Sequence, residues 1–363
     1  MRSSVARPRT VATVHHFHPT IVPADAISNH VVALHELARR DGRDSRVYAI
    51  ESTRVLDGGV LPYRRLFRAV QRQDTLVLHY SMGNEVFDQL AKLPARKVLV
   101  YHNVTPPEFF SGINPHAALH AQLGRTQLAA LAEPVELGVG VSDYNRRALE
   151  SAGFKRTAVV PLLIDWRAYD ITPDPAVLAQ GAAIRTKLLF VGRISPHKRQ
   201  DDLIRLIAYY RACIDPEAQL VLVGSYRDQP RYHGRLRALA EELGVTGAVA
   251  FAGSVSLAAL VAHYRSATAF VSLSEHEGFG VPLLEAMRFD LPVVAYDAGA
   301  VAETLGDAGV RAKTRDLPEI AELVALIDER PELRASLVAA GRKRLADFAT
   351  DLVEKRTRDV FGL

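Results

Sequence analysis

Short apolar runs rich in β-branched residues alternate with helical patterns along almost the whole 363-residue chain. In the first half TVATVHHF (10–17), SRVYAI (45–50), TLVLHY (75–80), KVLVYH (97–102), ELGVGVS (136–142) and TAVVPLL (157–163) read as strands. HVVALHELARR (30–40) and PHAALHAQLGRTQLAALA (115–132) carry the helical period between them. This alternation predicts parallel sheets with crossover helices, an α/β fold. At DWRAYDITPDPAVLAQGAAIRT (165–186) two prolines in quick succession and no sustained period predict a linker over 166–186. The alternation then restarts. KLLFVG (187–192), QLVLVGS (219–225), AVAFAG (248–253), TAFVSLS (268–274) and PVVAYD (292–297) read as strands. DDLIRLIAYYRAC (201–213), YHGRLRALAEELG (232–244) and LAALVAHYRSA (257–267) read as helices, and the tail from Pro318 is helical with breaks near Pro331 and Phe348. The expected organisation is a domain at 1–165, the linker, a second domain at 187–340, and a C-terminal helix at 341–363 crossing back to the first domain. Two doubly wound halves leave a cleft between the carboxyl edges of their sheets, where such folds bind ligands.

Composition narrows the class. An apolar content of 48% with evenly spread aromatics fits an ordered globular protein. The single cysteine, Cys213, excludes an internal disulfide and a multi-cysteine metal site, and fits a reducing cytoplasm. No apolar run approaches the ~18 residues of a membrane-spanning helix. The basic opening MRSSVARPRTVATVHHFHP has histidines too early in its apolar stretch for a signal peptide. The expected location is therefore cytoplasmic.

Net charge is +4, with 20 Lys+Arg against 15 Asp+Glu in 1–165 (+5) and 25 against 26 in the rest (−1). YRRLFRAVQRQ (63–73) concentrates Arg64, Arg65, Arg68 and Arg72 beside Leu66, Phe67 and Val70. Two readings stay open: a basic amphipathic segment resting on the inner face of a membrane or holding an acidic acceptor, and a solvated crossover helix. The excess is too small for a nucleic-acid partner.

Candidate chemistry lies in HEGFGVPLLEAM (276–287), where Glu277 and Glu285 flank a Gly-Phe-Gly-Val-Pro turn after a strand. Pro282 fits the first helical position, so the Gly278, Phe279 and Gly280 amides would face an anion at a helix N-terminus. Glycine at 278 and 280 permits positive φ and close approach of a ligand. Glu285, expected in the first turn, would accept hydrogen bonds from a diol such as ribose, and Glu277 would hold other hydroxyls. An acid/base pair of a glycoside hydrolase is the competing chemistry; spacing alone also allows two unrelated structural glutamates. In FVGRISPHKRQDDLI (190–204), Arg193 and Lys198 stand five residues apart at a strand's carboxyl end, a pairing that suits a diphosphate.

Together these stretches resemble the retaining glycosyltransferases of family 4, which have the two-domain GT-B fold. FVGRISPHKRQDDLI is similar to that family's VGR…K donor loop and EGFGVPLLEAM to its E-x7-E motif; VLVGS and FAGSV between them fit as well. The resemblance is close over the C-terminal half and loose over the N-terminal half. It implies two Rossmann-like domains facing a central cleft, the first binding acceptor and the second a UDP- or GDP-sugar. It assigns the donor diphosphate to Arg193 and Lys198, the sugar to Glu277, the ribose to Glu285, and the phosphate and sugar pocket to the Gly278, Phe279 and Gly280 backbone. His102, at the end of VLVYHNVTPPEFF (98–110), matches the family's active-site histidine. It completes an expected catalytic set with Glu277, Arg193 and Lys198.

His79 and Asn103 are expected on the acceptor side. The family's Gly-Gly pair after the first strand is missing: HHFHPTIVPADAISNHVV contains no glycine. Asp25, Ser28 and Asn29 are expected to cap the next helix, with Ser28 or Asn29 replacing the lost acceptor-side contacts. The other histidines, HHFH (15–18) included, are read as cleft or surface residues without carboxylate partners. No metal or other cofactor is expected, because cations and amides hold the leaving nucleotide. The implied reaction is transfer of a hexose-type sugar, with retention, to a glycan or lipid-linked acceptor in surface-polysaccharide synthesis. Two alternatives are a non-catalytic nucleotide-sugar-binding scaffold, against which the retained Arg193, Lys198, Glu277, Glu285 and His102 argue, and a hydrolase or phosphorylase of similar architecture.

Overall fold

The computed structural model describes residues 12–362; the basic opening, 1–11, lies outside the described residues. The strands of the first half are β1 (Thr13–Phe17), β2 (Thr20–Ile21), β3 (Asp44–Ala49), β4 (Glu51–Ser52), β5 (Val60–Pro62), β6 (Thr75–Tyr80), β7 (Arg96–Tyr101), β8 (Leu137–Gly140) and β9 (Thr157–Val159). The second half holds β10 (Lys187–Val191), β11 (Gln219–Val223), β12 (Val249–Gly253), β13 (Ala269–Ser272), β14 (Val293–Tyr296) and β15 (Val310–Ala312). Seven strands form one sheet in the order β5-β3-β1-β6-β7-β8-β9, and six form another in the order β12-β11-β10-β13-β14-β15. β2 and β4 make a separate two-stranded ribbon. Every pairing is parallel.

Parallel strands covered on both faces read as continuous apolar runs. Accordingly Leu76–Leu78 on β6, Val98–Val100 on β7 and Leu188–Phe190 on β10 are buried throughout. Strand order reverses between β1 and β6 in the first sheet and between β10 and β13 in the second. Crevices open at such switch points, and the candidate residues flank both.

The stretch expected as a bare linker contains a helix, Pro175–Ala182, capped by Asp174, whose carboxylate accepts from the Ala176 and Val177 amides. The C-terminal helix Thr350–Phe361 lies against the first half, at the end of the helix Ala26–Arg40 and the start of β7: Arg358 pairs with Asp41 at 2.8 Å, Glu354 with Arg40 at 2.6 Å, and Arg96 donates to the Phe361 carbonyl at 2.8 Å. Among the described residues no helix is long and apolar enough to cross a membrane.

Candidate active site

The loop after β13 enters the helix Val281–Arg288 through Gly280, whose φ of 91° lies in the left-handed region that glycine adopts without strain. Gly278 is glycine for another reason. Its φ is not positive; a Cβ there would stand 2.7 Å from the His102 carbonyl oxygen and 2.9 Å from the Asn103 Cβ. The two halves touch at that point. The loop's carbonyls are all engaged. Gly278 O accepts from Ser142 Oγ at 2.8 Å and Asn145 Nδ2 at 3.0 Å, Phe279 O from Thr304 Oγ1 at 2.5 Å, and Glu277 O from the Ala300 amide at 2.9 Å. The amides of Gly278, Phe279 and Gly280 donate to no acceptor among the described residues, which leaves them for an anion at the helix entrance. The Phe279 ring itself is core, edge-on to Phe348.

Glu285 departs from expectation. The helix begins at Val281, so Pro282 is its second residue and Glu285 its fifth, in the second turn, past the strongest helix-end field. Glu285 is only 6% exposed, and both oxygens already accept phenol hydrogen bonds, Oε2 from Tyr264 at 2.6 Å and Oε1 from Tyr169. Burial raises its pKa, and the two phenols pull it back.

Glu277 is paired. Its Oε1 lies 2.7 Å from Lys198 Nζ, which comes from the turn Pro196–Lys198 after β10, and both side chains are mostly shielded. Arg193 is open by contrast, its side chain 56% exposed, with Asp25 at 3.9 Å and Asp228 at 3.8 Å as distant counter-charges. Two cations and three amides thus border the crevice between the loops after β10 and β13.

The opposite wall is imidazole-rich. His102 follows β7, and its Nε2 lies 3.2 Å from Nδ1 of His79, the penultimate residue of β6. The other nitrogen of His79 is 3.4 Å from His16 Nδ1. Burial above all, then the neighbouring imidazoles, holds His16, His79 and His102 well below the usual histidine range, so they are neutral at pH 7. Asn103, at φ 82°, joins the halves: its Nδ2 donates to Asn145 Oδ1 at 2.6 Å, and its Oδ1 lies 2.9 Å from His276 Nε2. Burial and then Lys198 push His276 down to about 4, so it meets Asn103 as a neutral ring.

Several expectations need correction. Ser28 is fully buried and knits the helix entry: its Oγ donates to Asp25 at 2.8 Å and accepts from the Val22 amide at 3.1 Å. Asp25 alone caps the helix Ala26–Arg40, and the exposed Asn29 accepts from Arg54, so of the three expected caps only Asp25 fills that role. Of the histidines expected in the cleft or on the surface, His15, His16 and His18 are all buried, and His15 has a carboxylate partner after all, Asp74 at 3.2 Å. Residues 63–73 connect β5 to β6 with less helix than expected, and their arginines face solvent, as the solvated reading expects. They hold one 3₁₀ turn, Tyr63–Arg65, and the four-residue helix Leu66–Ala69, with all four arginines exposed. Sequence reasoning also missed Ser142, Asn145, Tyr169, Tyr264 and Thr304. Only Ser142 carried a local signal, as a serine preceding a helix, and it does cap Asp143–Ser151.

Two facing parallel α/β halves with cations and amides at one switch point and histidines at the other define the GT-B class, and solved structures bear that out. HepE of Anabaena in complex with UDP and glucose superposes with a TM-score of 0.77 at 19% identity, covering 97% of this chain and 99% of that one. WaaG, a glycosyltransferase involved in lipopolysaccharide biosynthesis, gives 0.75 at 17% identity, covering 96% and 100%. Residues 183–344 match the family model described as glycosyl transferases group 1. A GDP-mannose-dependent monoacylated alpha-(1-6)-phosphatidylinositol monomannoside mannosyltransferase of Corynebacterium glutamicum is 27% identical over 256 residues, 65% of this chain and 64% of that protein. A D-inositol 3-phosphate glycosyltransferase of Geodermatophilus obscurus is 31% identical over 239 residues, 62% of this chain and 51% of that protein. The chain thus spans between half and just under two thirds of these relatives' length.

Proposed function

We propose that the protein is a retaining glycosyltransferase that moves a hexose-type sugar from a nucleoside-diphosphate donor to a hydroxyl of a glycan or glycolipid. The observation that carries this reading is the meeting of Lys198 and Glu277 at 2.7 Å beside the undonated amides of Gly278, Phe279 and Gly280. Charge grows on the donor's diphosphate as the sugar leaves, and fixed donors in a shielded site stabilise such charge most. Lys198, Arg193 and the three amides take that charge. Glu277 turns its second oxygen to the sugar hydroxyls, with Lys198 fixing its orientation.

The two phenols set the Glu285 carboxylate, and the ribose diol donates to its remaining lone pairs. The anomeric carbon–oxygen bond to phosphate breaks with its electron pair going to the diphosphate. The acceptor oxygen bonds the anomeric carbon from the same face, and its proton passes to the departing phosphate. His102, neutral and partly exposed, orients the sugar or the acceptor hydroxyl. In this scheme the leaving charge needs no metal ion.

A GDP-mannose donor has the support of the mannosyltransferase relatives, and a UDP-sugar has that of the HepE complex. Calorimetric titration with UDP and with GDP tests the reading. Tight binding of one names the donor class; weak binding of both refutes it.

A further inference from the structure

The first half gathers three imidazoles that the proposed sugar transfer does not require as a group. His30 comes from the helix Ala26–Arg40, His79 from the end of β6, and His102 from just beyond β7. Each offers one ring nitrogen, and these three nitrogens all lie within 4.8 Å of one another. The group stands beside the switch point of the first sheet, between the carboxyl ends of β1 and β6.

His30 is the telling member. It is 2% exposed, and neither ring nitrogen has a hydrogen-bond partner. Its ring lies edge-on to His79 and His102, with centroids 5.8 and 5.4 Å away. A buried polar ring without a partner is costly, and polar side chains so placed ordinarily have a ligand or a hydrogen bond.

We infer that His30, His79 and His102 form a three-histidine site for a divalent transition metal of the zinc class. Tetrahedral coordination at metal–nitrogen distances of about 2.0–2.1 Å sets ligand nitrogens about 3.3–3.4 Å apart. His79 Nδ1 and His102 Nε2 are already 3.2 Å apart. Imidazole binds such ions only in its neutral form. Burial keeps all three rings in that form, with His30 pushed down to about 3. No carboxylate belongs to the group, so the all-nitrogen set favours zinc, cobalt or nickel over magnesium or calcium.

His102 is the one partly exposed member, so the fourth position opens toward the cleft. A metal on Nε2 leaves the His102 Nδ1–H to donate, as ligating histidines do to their surroundings. The ion thus fixes the tautomer that the cleft meets. This site stands whether or not the chain transfers sugar.

The test is Co²⁺ titration of untagged, chelator-treated full-length protein, read by visible absorption. The expected result is one equivalent with the intense bands of tetrahedral cobalt, displaced by Zn²⁺ and lost in His30→Ala at unchanged circular dichroism. His116, exposed, and His120, partly exposed, have nitrogens 3.1 Å apart, one helical turn from each other, and are the competing surface site. Loss of the bands in His116→Ala/His120→Ala instead of His30→Ala overturns the inference, as does a weak six-coordinate spectrum or no retained cobalt. Should His30→Ala fail to fold, X-ray absorption on the zinc-loaded wild type decides. Three imidazoles are expected, and fewer overturn the inference.

Discussion

Lys198 has Glu277 as its carboxylate partner, 2.7 Å away, and the pair is shielded from most of the solvent. In such surroundings a cation aimed at developing charge is worth far more than in water. Under the proposed transfer, Lys198→Ala therefore lowers kcat by a factor of about 10²–10³, the ~3–4 kcal/mol typical of one oxyanion donor. Single-turnover kinetics of the variant with saturating donor measure it, and a melting curve separates this loss from instability left by the unpaired Glu277. Turnover within threefold of wild type removes Lys198 from the chemistry. Arg193 differs in kind: it is exposed and without a close partner, whereas Lys198 is held in place, so under the proposed transfer it would meet the donor as a mobile cation.

At the scale of elements, the loop after β13 works because backbone from the two halves comes within contact distance. Gly278→Ala puts a methyl 2.7 Å from the His102 carbonyl and 2.9 Å from the Asn103 Cβ. Neither wall moves cheaply, since Asn103 is tied to both Asn145 and His276. The variant is expected to push the loop back, weaken nucleotide-diphosphate binding at least tenfold and leave the sheets intact. Calorimetry with the preferred nucleotide, alongside circular dichroism, checks this, and unchanged affinity shows that the loop's approach to His102 is not needed for binding. This loop was legible in the sequence, as were β6 at its observed bounds and the helix over 115–131, because local composition specifies them. β5 and β15 were not: each has three residues and is held by its neighbour, β3 or β14. The helix Pro175–Ala182 had its start signals, Asp174 and Pro175, but those same residues read as a break. The partners of Glu285 could not be read at all. Tyr169 lies 116 residues away and Tyr264 21, and no spacing rule links a phenol to a carboxylate across such intervals.

The whole molecule is held together by contacts that cross its halves. Glu303 of the second half accepts from the Asp143 amide at 2.6 and 2.7 Å, placing a carboxylate at the start of the helix Asp143–Ser151, where negative charge is favoured. Against this stands a group of imidazoles buried in the first half. His16, His30 and His79 are each no more than 2% exposed and have folded-state pKa values held below the usual histidine value of 6.5, chiefly by burial. When unfolded they bind protons as pH falls through about 6.5; when folded they do not. The unfolded chain then holds the extra protons, so stability is full above that pH and declines as pH falls below it. Each group contributes up to about 1.4 kcal/mol per pH unit, so three together approach ~4 kcal/mol per unit, against a total stability of roughly 5–15 kcal/mol. Ordinary carboxylates titrate below this window, and the nearby Asp74 bears on His15, outside this trio. The melting temperature is therefore expected to hold between pH 8 and 7, then fall steeply from pH 6.5 to 5. Thermal melts at half-unit steps in constant ionic strength measure it. A profile flat down to pH 5 means that these histidines titrate in the folded protein as they do in the unfolded one, and the neutral imidazole wall facing the cations of the cleft would have to be abandoned.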